Sequence, residues 1–204
     1  MNLKDTYNKI AEDWYADHKQ DDWWIEGTDH FCSILKKGNQ VLDVGCGAGV
    51  KSRYLSKKGL DVTGIDFSEK LIEIAKKESS GIEFIVMDMK DVRDLNRQFD
   101  GIFAQASLLH IPKNEIADVL GISVSALKSN GYIYVAVKGK YPDGPEEAVL
   151  KESDYGYDYE RFFSYFTMDE LKSYFNDLKL EIVYENHKVF GKTDWLQIIG
   201  KKKA

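Results

Sequence analysis

The feature that most constrains this chain is the run Val41-Leu42-Asp43-Val44, which passes directly into Gly45-Cys46-Gly47-Ala48-Gly49. The first four residues read as a short buried strand, the glycines break it, and the segment that follows, ending near Gly59, reads as a helix. Strand, glycine turn and helix together form the opening unit of an open α/β sheet. Glycine lets such a turn take positive φ and bring bare backbone close to a ligand. By itself the turn is equally compatible with a plain strand-helix connection or a dinucleotide loop, so the residues around it have to decide.

The alternation repeats downstream. Strands are expected at Asp61 to Ile65, Ile82 to Val86, Phe99 to Gln105 and Tyr132 to Val137, with helices from Ser68 to Lys77 and from about Asn114 to Lys128. Such alternation predicts a parallel sheet. On the N-terminal side, Asp5 is placed to cap a helix whose Tyr7, Ile10, Ala11, Trp14 and Tyr15 recur at helical spacing, and a second helical stretch is expected around His30 to Leu35. On the other side lies a Tyr-rich, acidic segment from Gly139 to Tyr165, expected to be irregular. The capping box Thr167-Met168-Asp169-Glu170 then opens a helix. Strands Leu180 to Tyr184 and Trp195 to Gly200 are joined by a connection too short for a crossover helix, which predicts antiparallel pairing. The fold class expected is α/β: a Rossmann-like, doubly wound, seven-stranded sheet, mostly parallel with an antiparallel C-terminal strand and helices on both faces. At 204 residues the chain suits one core. We expect a single domain over 1–204, divided into an N-terminal helical cap (1–38), a ligand-binding core (39–138), a lid insert (139–166) and a C-terminal helix and strand pair (167–204).

Chemistry belongs at the carboxyl ends of the parallel strands, where the sheet leaves a crevice at its switch point. Asp66 ends the second strand 21 positions after Gly45, where a carboxylate can accept from both hydroxyls of a ribose; its other reading is a cap for the helix beginning at Ser68. Phe67 follows as an apolar contact. At the end of the third strand, Asp88 can accept an exocyclic adenine amine, with Met87 and Met89 flanking the ring; its other reading is an ordinary loop acid. A nicotinamide dinucleotide has no general need for this third acid, so Asp88 favours an adenosine ligand.

Composition narrows the partners. A net charge of −6 disfavours a polyanion-binding face, and Lys201-Lys202-Lys203 reads as a solvated tail, so no nucleic-acid partner is expected. Cys32 and Cys46 show neither zinc-site nor disulfide-framework spacing; no metal is expected, and reduced thiols point to a cytoplasmic setting. No window approaches the roughly 20 apolar residues of a membrane span, and the N-terminus lacks a leader pattern, so no membrane partner is expected either.

Val41 to Gly49, Gly64-Ile65-Asp66-Phe67-Ser68 and Met87-Asp88 together resemble the class I S-adenosylmethionine-dependent methyltransferases. Phe99-Asp100-Gly101-Ile102-Phe103 and Leu127 to Tyr132 are similar to that family's fourth strand and the turn into its fifth, so the resemblance covers most of residues 39–138. Tyr7-Asn8-Lys9-Ile10-Ala11-Glu12-Asp13-Trp14-Tyr15 resembles the small-molecule branch that includes the ubiquinone and menaquinone biosynthesis methyltransferases. The resemblance implies S-adenosylmethionine as cofactor and S-adenosylhomocysteine as product. Gly45 and Gly47 would flank the donor's amino-acid part, with Cys46 contributing backbone, Asp66 holding ribose and Asp88 adenine. Asp43 would orient the turn or the donor's ammonium, Gln105 would touch the methionine moiety, and Tyr15 and His18 would close over it. Trp14 reads as core packing.

The reaction implied is in-line displacement of methyl from a sulfonium by a nucleophilic N, O, S or C of a small molecule. It is served mainly by alignment and exclusion of water. His110, after the fourth strand, is the candidate general base, with capping or packing as its other role; His30 and His187 read as structural. The connector Asp21-Asp22-Trp23-Trp24 and the 139–165 segment are expected to select the acceptor. Tyr141, Tyr155, Tyr157, Tyr159 and Tyr165 would surround an apolar or cationic molecule, and Arg161 would form an internal salt bridge or meet a substrate carboxylate. Two alternatives remain at this stage. A nicotinamide-dependent oxidoreductase would usually carry G-x-G-x-x-G rather than the G-x-G-x-G found here, and a non-catalytic donor-binding module would share the same pocket. A nucleic-acid amine methylating member would often carry Asn-Pro-Pro-Tyr where Gln105-Ala106-Ser107-Leu108 stands.

Overall fold

The computed structural model describes residues 2–204. Nine strands and six α-helices follow in the order α1 (Leu3–His18), α2 (Ile25–Ser33), β1 (Gln40–Val44), α3 (Val50–Lys57), β2 (Asp61–Asp66), α4 (Glu69–Glu78), β3 (Glu83–Val86), β4 (Phe99–Gln105), α5 (Ile116–Ser125), β5 (Leu127–Lys138), β6 (Glu147–Glu152), β7 (Tyr159–Ser164), α6 (Met168–Asp177), β8 (Leu180–Phe190) and β9 (Thr193–Lys202). Seven strands form one sheet in the order β3-β2-β1-β4-β5-β9-β8. The first five are parallel; β9 runs antiparallel to β5, and β8 antiparallel to β9. The chain winds outward from β1 to β3, then returns to place β4 on the other side of β1. That reversal makes the ends of β1 and β4 the switch point.

Both faces of the sheet are covered, which is why its central strands are continuously apolar rather than alternating. On one face Val41, Phe103, Tyr134 and Ile199 pack with Phe31 and Leu55; on the other Leu42, Ile102, Ile133, Val135 and Ile198 join a larger cluster. Phe103 and Tyr134 stack with ring centroids 4.7 Å apart. Truncating Phe103 to alanine would remove roughly 3–5 kcal/mol of such packing.

Several boundaries differ from expectation for identifiable reasons. α1 is capped by Asn2, whose side chain accepts from the Lys4 amide, so Asp5 lies inside the first turn, where it complements the helix dipole. α2 runs from Ile25 to Ser33, beginning earlier than the stretch expected around His30 to Leu35. The segment expected to be irregular contains an antiparallel hairpin, β6 with β7, paired from Glu147 and Ser164 to Glu152 and Tyr159. β8 and β9 extend to Phe190 and Thr193, so their connection is a tight turn at Gly191, which has φ +59°. The capping box at Thr167 and Glu170 forms as read.

Candidate functional site

The glycine turn is held against the end of β2: the amides of Gly45 and Cys46 both donate to the Ile65 carbonyl, at 2.8 and 2.9 Å. Gly45 has φ +74°, and a Cβ there would lie 2.4 Å from the Ser107 Cβ, so any side chain would collide with the turn leaving β4. Gly47 has φ +54°, and its amide donates to Asp66 Oδ2 at 2.9 Å. The Trp14 ring of α1 lies directly over it, 3.4 Å from where a Cβ would stand. Ala106, immediately after β4, has φ +55°, a conformation costing an alanine roughly 1 kcal/mol or more and the kind of local strain that clusters at functional sites.

A cavity opens over this switch point. Of the residues singled out in the sequence, Asp43, Gly45, Cys46, Gly47, Asp66, Phe67, Met89, Gln105 and His110 all line it. Three others stand elsewhere. Tyr15 donates its hydroxyl to Glu78 on α4, and His18 stacks on Trp14 and faces a neighbouring cavity. Asp88 is exposed and caps the short helical turn after it, accepting from the Lys90 amide at 2.9 Å; it borders a separate surface groove together with Phe67 and Met89. The cavity also takes in residues that had not been singled out as ligand contacts: Tyr7, Trp14, Lys51, Leu71, Ala106 and Ser107.

Its electrostatics are unusual. Asp43 and Asp66 are both nearly inaccessible. Burial pushes the Asp43 carboxyl up to about 7 against the help of a 2.6 Å hydrogen bond from Ser52 Oγ. Burial likewise pushes Asp66 up to about 6, although the amides of Ser68 and Gly47 each donate to it at 2.9 Å. Beside them, Gln105 Nε2 and Ser107 Oγ are buried with no hydrogen-bond partner among the described residues. Leaving such groups unpaired costs about 1–3 kcal/mol each, and a ligand's polar groups would satisfy them.

At the mouth, Tyr7 Oη and His110 Nε2 are 2.7 Å apart, and His110 Nδ1 lies 2.7 Å from the Phe162 carbonyl. A carbonyl can only accept, so Nδ1 carries the proton and Nε2 accepts from Tyr7. Burial drives the imidazole down to about 3. His110 is therefore neutral near pH 7 with its free lone pair already engaged.

A second cavity of about 330 Å³ shares Tyr7, Trp14, Lys51, Ala106 and His110 with the first. Trp23 of the expected connector lines it, stacked on Trp195 at 3.8 Å. The five tyrosines singled out as acceptor contacts line neither cavity: Tyr155 and Tyr159 stack on each other, Tyr157 donates to Asp13, Tyr141 donates to the Lys192 carbonyl, and Tyr165 lies beside Phe163. Arg161 forms the internal salt bridge, with two hydrogen bonds of 2.6 Å to Glu152. Among the described residues, no group of three His, Cys, Asp or Glu is arranged to hold a metal, and no helix is long and apolar enough to cross a membrane.

Residues 41–131 match the family model described as "Methyltransferase domain". Over this stretch, somewhat less than half of its length, the chain is similar to S-adenosylmethionine-dependent methyltransferases. A ubiquinone biosynthesis O-methyltransferase of Hydrogenovibrio crunogenus is 29% identical over 140 residues, covering 63% of this chain and 56% of the relative. The chain spans about half the length of the first curated relatives it matches, 49% and 56% of them. Among solved structures, the Burkholderia thailandensis 1,6-didemethyltoxoflavin-N1-methyltransferase, bound to its substrate and S-adenosylhomocysteine, superposes with a TM-score of 0.78 at 18% identity, covering 99% of this chain and 88% of that one. The magnesium protoporphyrin IX methyltransferase of Synechocystis, bound to S-adenosylhomocysteine, gives 0.76 at 16% identity, covering 98% of each. At these identities the likeness establishes that this chain shares their fold.

Proposed function

We propose that this protein transfers the methyl group of S-adenosylmethionine to a small molecule, with the donor in the cavity over the glycine turn and the acceptor in the adjoining one. One observation carries this: two buried carboxylates, Asp43 and Asp66, share the first cavity with two unpartnered polar groups, Gln105 Nε2 and Ser107 Oγ. Such a cavity suits a ligand bearing positive charge together with hydrogen-bonding groups, as the amino-acid end of the donor does.

When bound, S-adenosylmethionine supplies an electrophilic methyl on a sulfonium. The chain contributes placement. Asp66 would hold the nucleoside sugar, with Phe67 and Met89 against its apolar surface. Gln105, Ser107 and the backbone at Gly45 and Gly47 would hold the amino-acid end, with Asp43 compensating its positive charge. Asp88 is near enough to Asp66 to raise its carboxyl, and we assign it to the adenine amine, a role that its cap to Lys90 leaves open through its second oxygen. Trp14 and Tyr7 exclude water from above, while Tyr15 and His18 support α1 from outside. His110 serves as a neutral positioning residue for the Tyr7 hydroxyl at the passage between the cavities, because a group titrating near 3 is a poor base at neutral pH. We assign residues 1–204 to one domain: 1–38 the helical cap, 39–138 the donor-binding core, 139–166 a lid bordering the acceptor cavity through Arg161 and Phe163, and 167–204 the closing helix and strand pair. The cytoplasm is the compartment we propose, since both cysteines are free thiols.

The test is calorimetric titration with S-adenosylhomocysteine. Asp66→Ala is expected to weaken binding by about tenfold to a hundredfold, the worth of a charged hydrogen-bond acceptor, with NADH giving no heat. Asp66 also anchors the Gly47 and Ser68 amides, so Asp66→Asn, which keeps one acceptor, should fall between the two. Unchanged affinity in a folded Asp66→Ala variant would overturn the assignment.

A further inference from the structure

The second cavity is a slot with aromatic sides. Trp195 and Trp23 stack with planes 14° apart, and Phe163, Tyr7 and His110 also line the slot. Its volume of about 330 Å³ suits one or two fused rings rather than a polymer.

Its charge is not balanced. Arg161 and Lys138 both border it and both lie over the Phe163 ring, 5.2 Å and 3.9 Å from the centroid. Glu152 is committed to Arg161 through both its oxygens. Lys51, which also borders the slot, is acted on by the charges of Asp43 and Asp21. Neither Lys138 nor Lys51 has an ion pair or a side-chain hydrogen bond among the described residues, but Lys51 has two carboxylates acting on it, whereas the acid acting on half-buried Lys138 is Glu152, already committed to Arg161. Burial and the neighbouring Arg161 push the Lys138 ammonium down to about 8, so the site carries a positive charge at a cost that an arriving anion would offset. As the last residue of β5, paired in register with Trp195, Lys138 stands at the carboxyl end of the sheet beside the stacked indoles.

We propose that the acceptor is a flat aromatic acid whose carboxylate is held by Lys138 while its ring lies in the slot, leaving its nucleophilic group toward the passage at Tyr7 and His110. This builds on the assignment of the first cavity to the methyl donor. A cationic acceptor, which the tyrosine-rich segment pointed to in the sequence, would instead meet like charge. Arg161, already satisfied by Glu152, positions Phe163 and reinforces the field without contacting the carboxylate.

The experiment uses the full chain saturated with S-adenosylhomocysteine and a panel of benzoate, 3,4-dihydroxybenzoate and 1-naphthoate, each compared with its amide, plus 3,4-dihydroxybenzylamine. Binding is followed by calorimetry at millimolar ligand. At least one acid should bind about tenfold more tightly than its amide, the scale of a charge-assisted hydrogen bond, and the benzylamine should not compete. Lys138→Met should erase the preference, Lys138→Arg should retain it, and both should bind S-adenosylhomocysteine as the parent does. Equal binding of acids and amides, a preference that survives Lys138→Met, or binding of none of the acids would overturn the proposal while leaving the donor site standing. Loss of S-adenosylhomocysteine binding by the parent protein would instead remove the donor assignment beneath it.

Discussion

Replacing Asp43 by asparagine should change how the stability of the donor-free protein depends on pH. In the folded chain burial raises this carboxyl from 3.8 to about 7, whereas in the unfolded chain it returns to its ordinary value. The folded state therefore holds the proton more tightly. The resulting stability is fully present below about pH 3.8 and is lost as pH rises through about 7. At about 1.36 kcal/mol per pH unit the whole effect is about 4 kcal/mol, of which about 3 kcal/mol disappears between about pH 5 and about pH 8. Asp66, raised from 3.8 to about 6, acts in the same direction. His110, lowered from 6.5 to about 3, acts in the opposite one, its contribution being present above 6.5 and lost as pH falls. Both remain in Asp43→Asn, so the difference between parent and variant isolates Asp43. Thermal unfolding at the two pH values is the assay. Going from about pH 5 to about pH 8, the parent should lose about 6–12 °C relative to the variant, for a chain of this size. Saturating S-adenosylhomocysteine should shrink that difference, because the ligand's ammonium favours the ionised carboxylate. Parallel melting curves for the two proteins would refute the account of Asp43 as a buried, poorly compensated acid.

Gln105→Leu removes a buried donor that has no partner, and Thr28, which donates to Gln105 Oε1 at 3.3 Å, keeps its 2.8 Å bond to the Trp24 carbonyl. The variant should melt at or above the parent temperature yet bind S-adenosylhomocysteine about tenfold more weakly, as read by calorimetry; a drop in both would mean that Gln105 is structural. Nitrogen-15 NMR of the His110 imidazole should report the neutral Nδ1-H tautomer without change from about pH 8 to about pH 5, as expected of a group held well below its usual range. A titration centred near 6.5 would restore His110 as a general base.

How much of this was legible in the sequence depends on whether a residue's role shows in its own neighbourhood. The strand running into Gly45-Cys46-Gly47 carries its own signal, in apolar residues followed by glycines that take positive φ, and the pairing of β1 with β2 then fixes Asp66 beside it. The residues closing the cavity from α1 were read one position off. Tyr7 and Trp14 are seven apart and share a helix face, whereas one further step to Tyr15 turns the side chain by about 100° toward Glu78. Apolar periodicity does not distinguish a face that covers a cavity from one that covers a core, so Trp14 read as packing. The β6–β7 hairpin was missed because β6 alternates between half-buried and exposed, with no strongly apolar side. Ala106 gave no signal at all: its left-handed backbone is imposed by the exit from β4, and no alanine announces that.

The order β5-β9-β8 means that β9 fits between two strands that leave the ribosome before it. Among the described residues β8 has no neighbour but β9, so during synthesis it waits with its ladder groups unmatched after β1 to β5 have been made. For that interval the growing polypeptide presents two open flanks, the outer side of β5 and the side of β8 that β9 will take, each a template for pairing with another chain. Insertion of a single late ribbon closes both at once, so the cell's exposure to misassembly is set by how quickly Thr193–Lys202 is delivered.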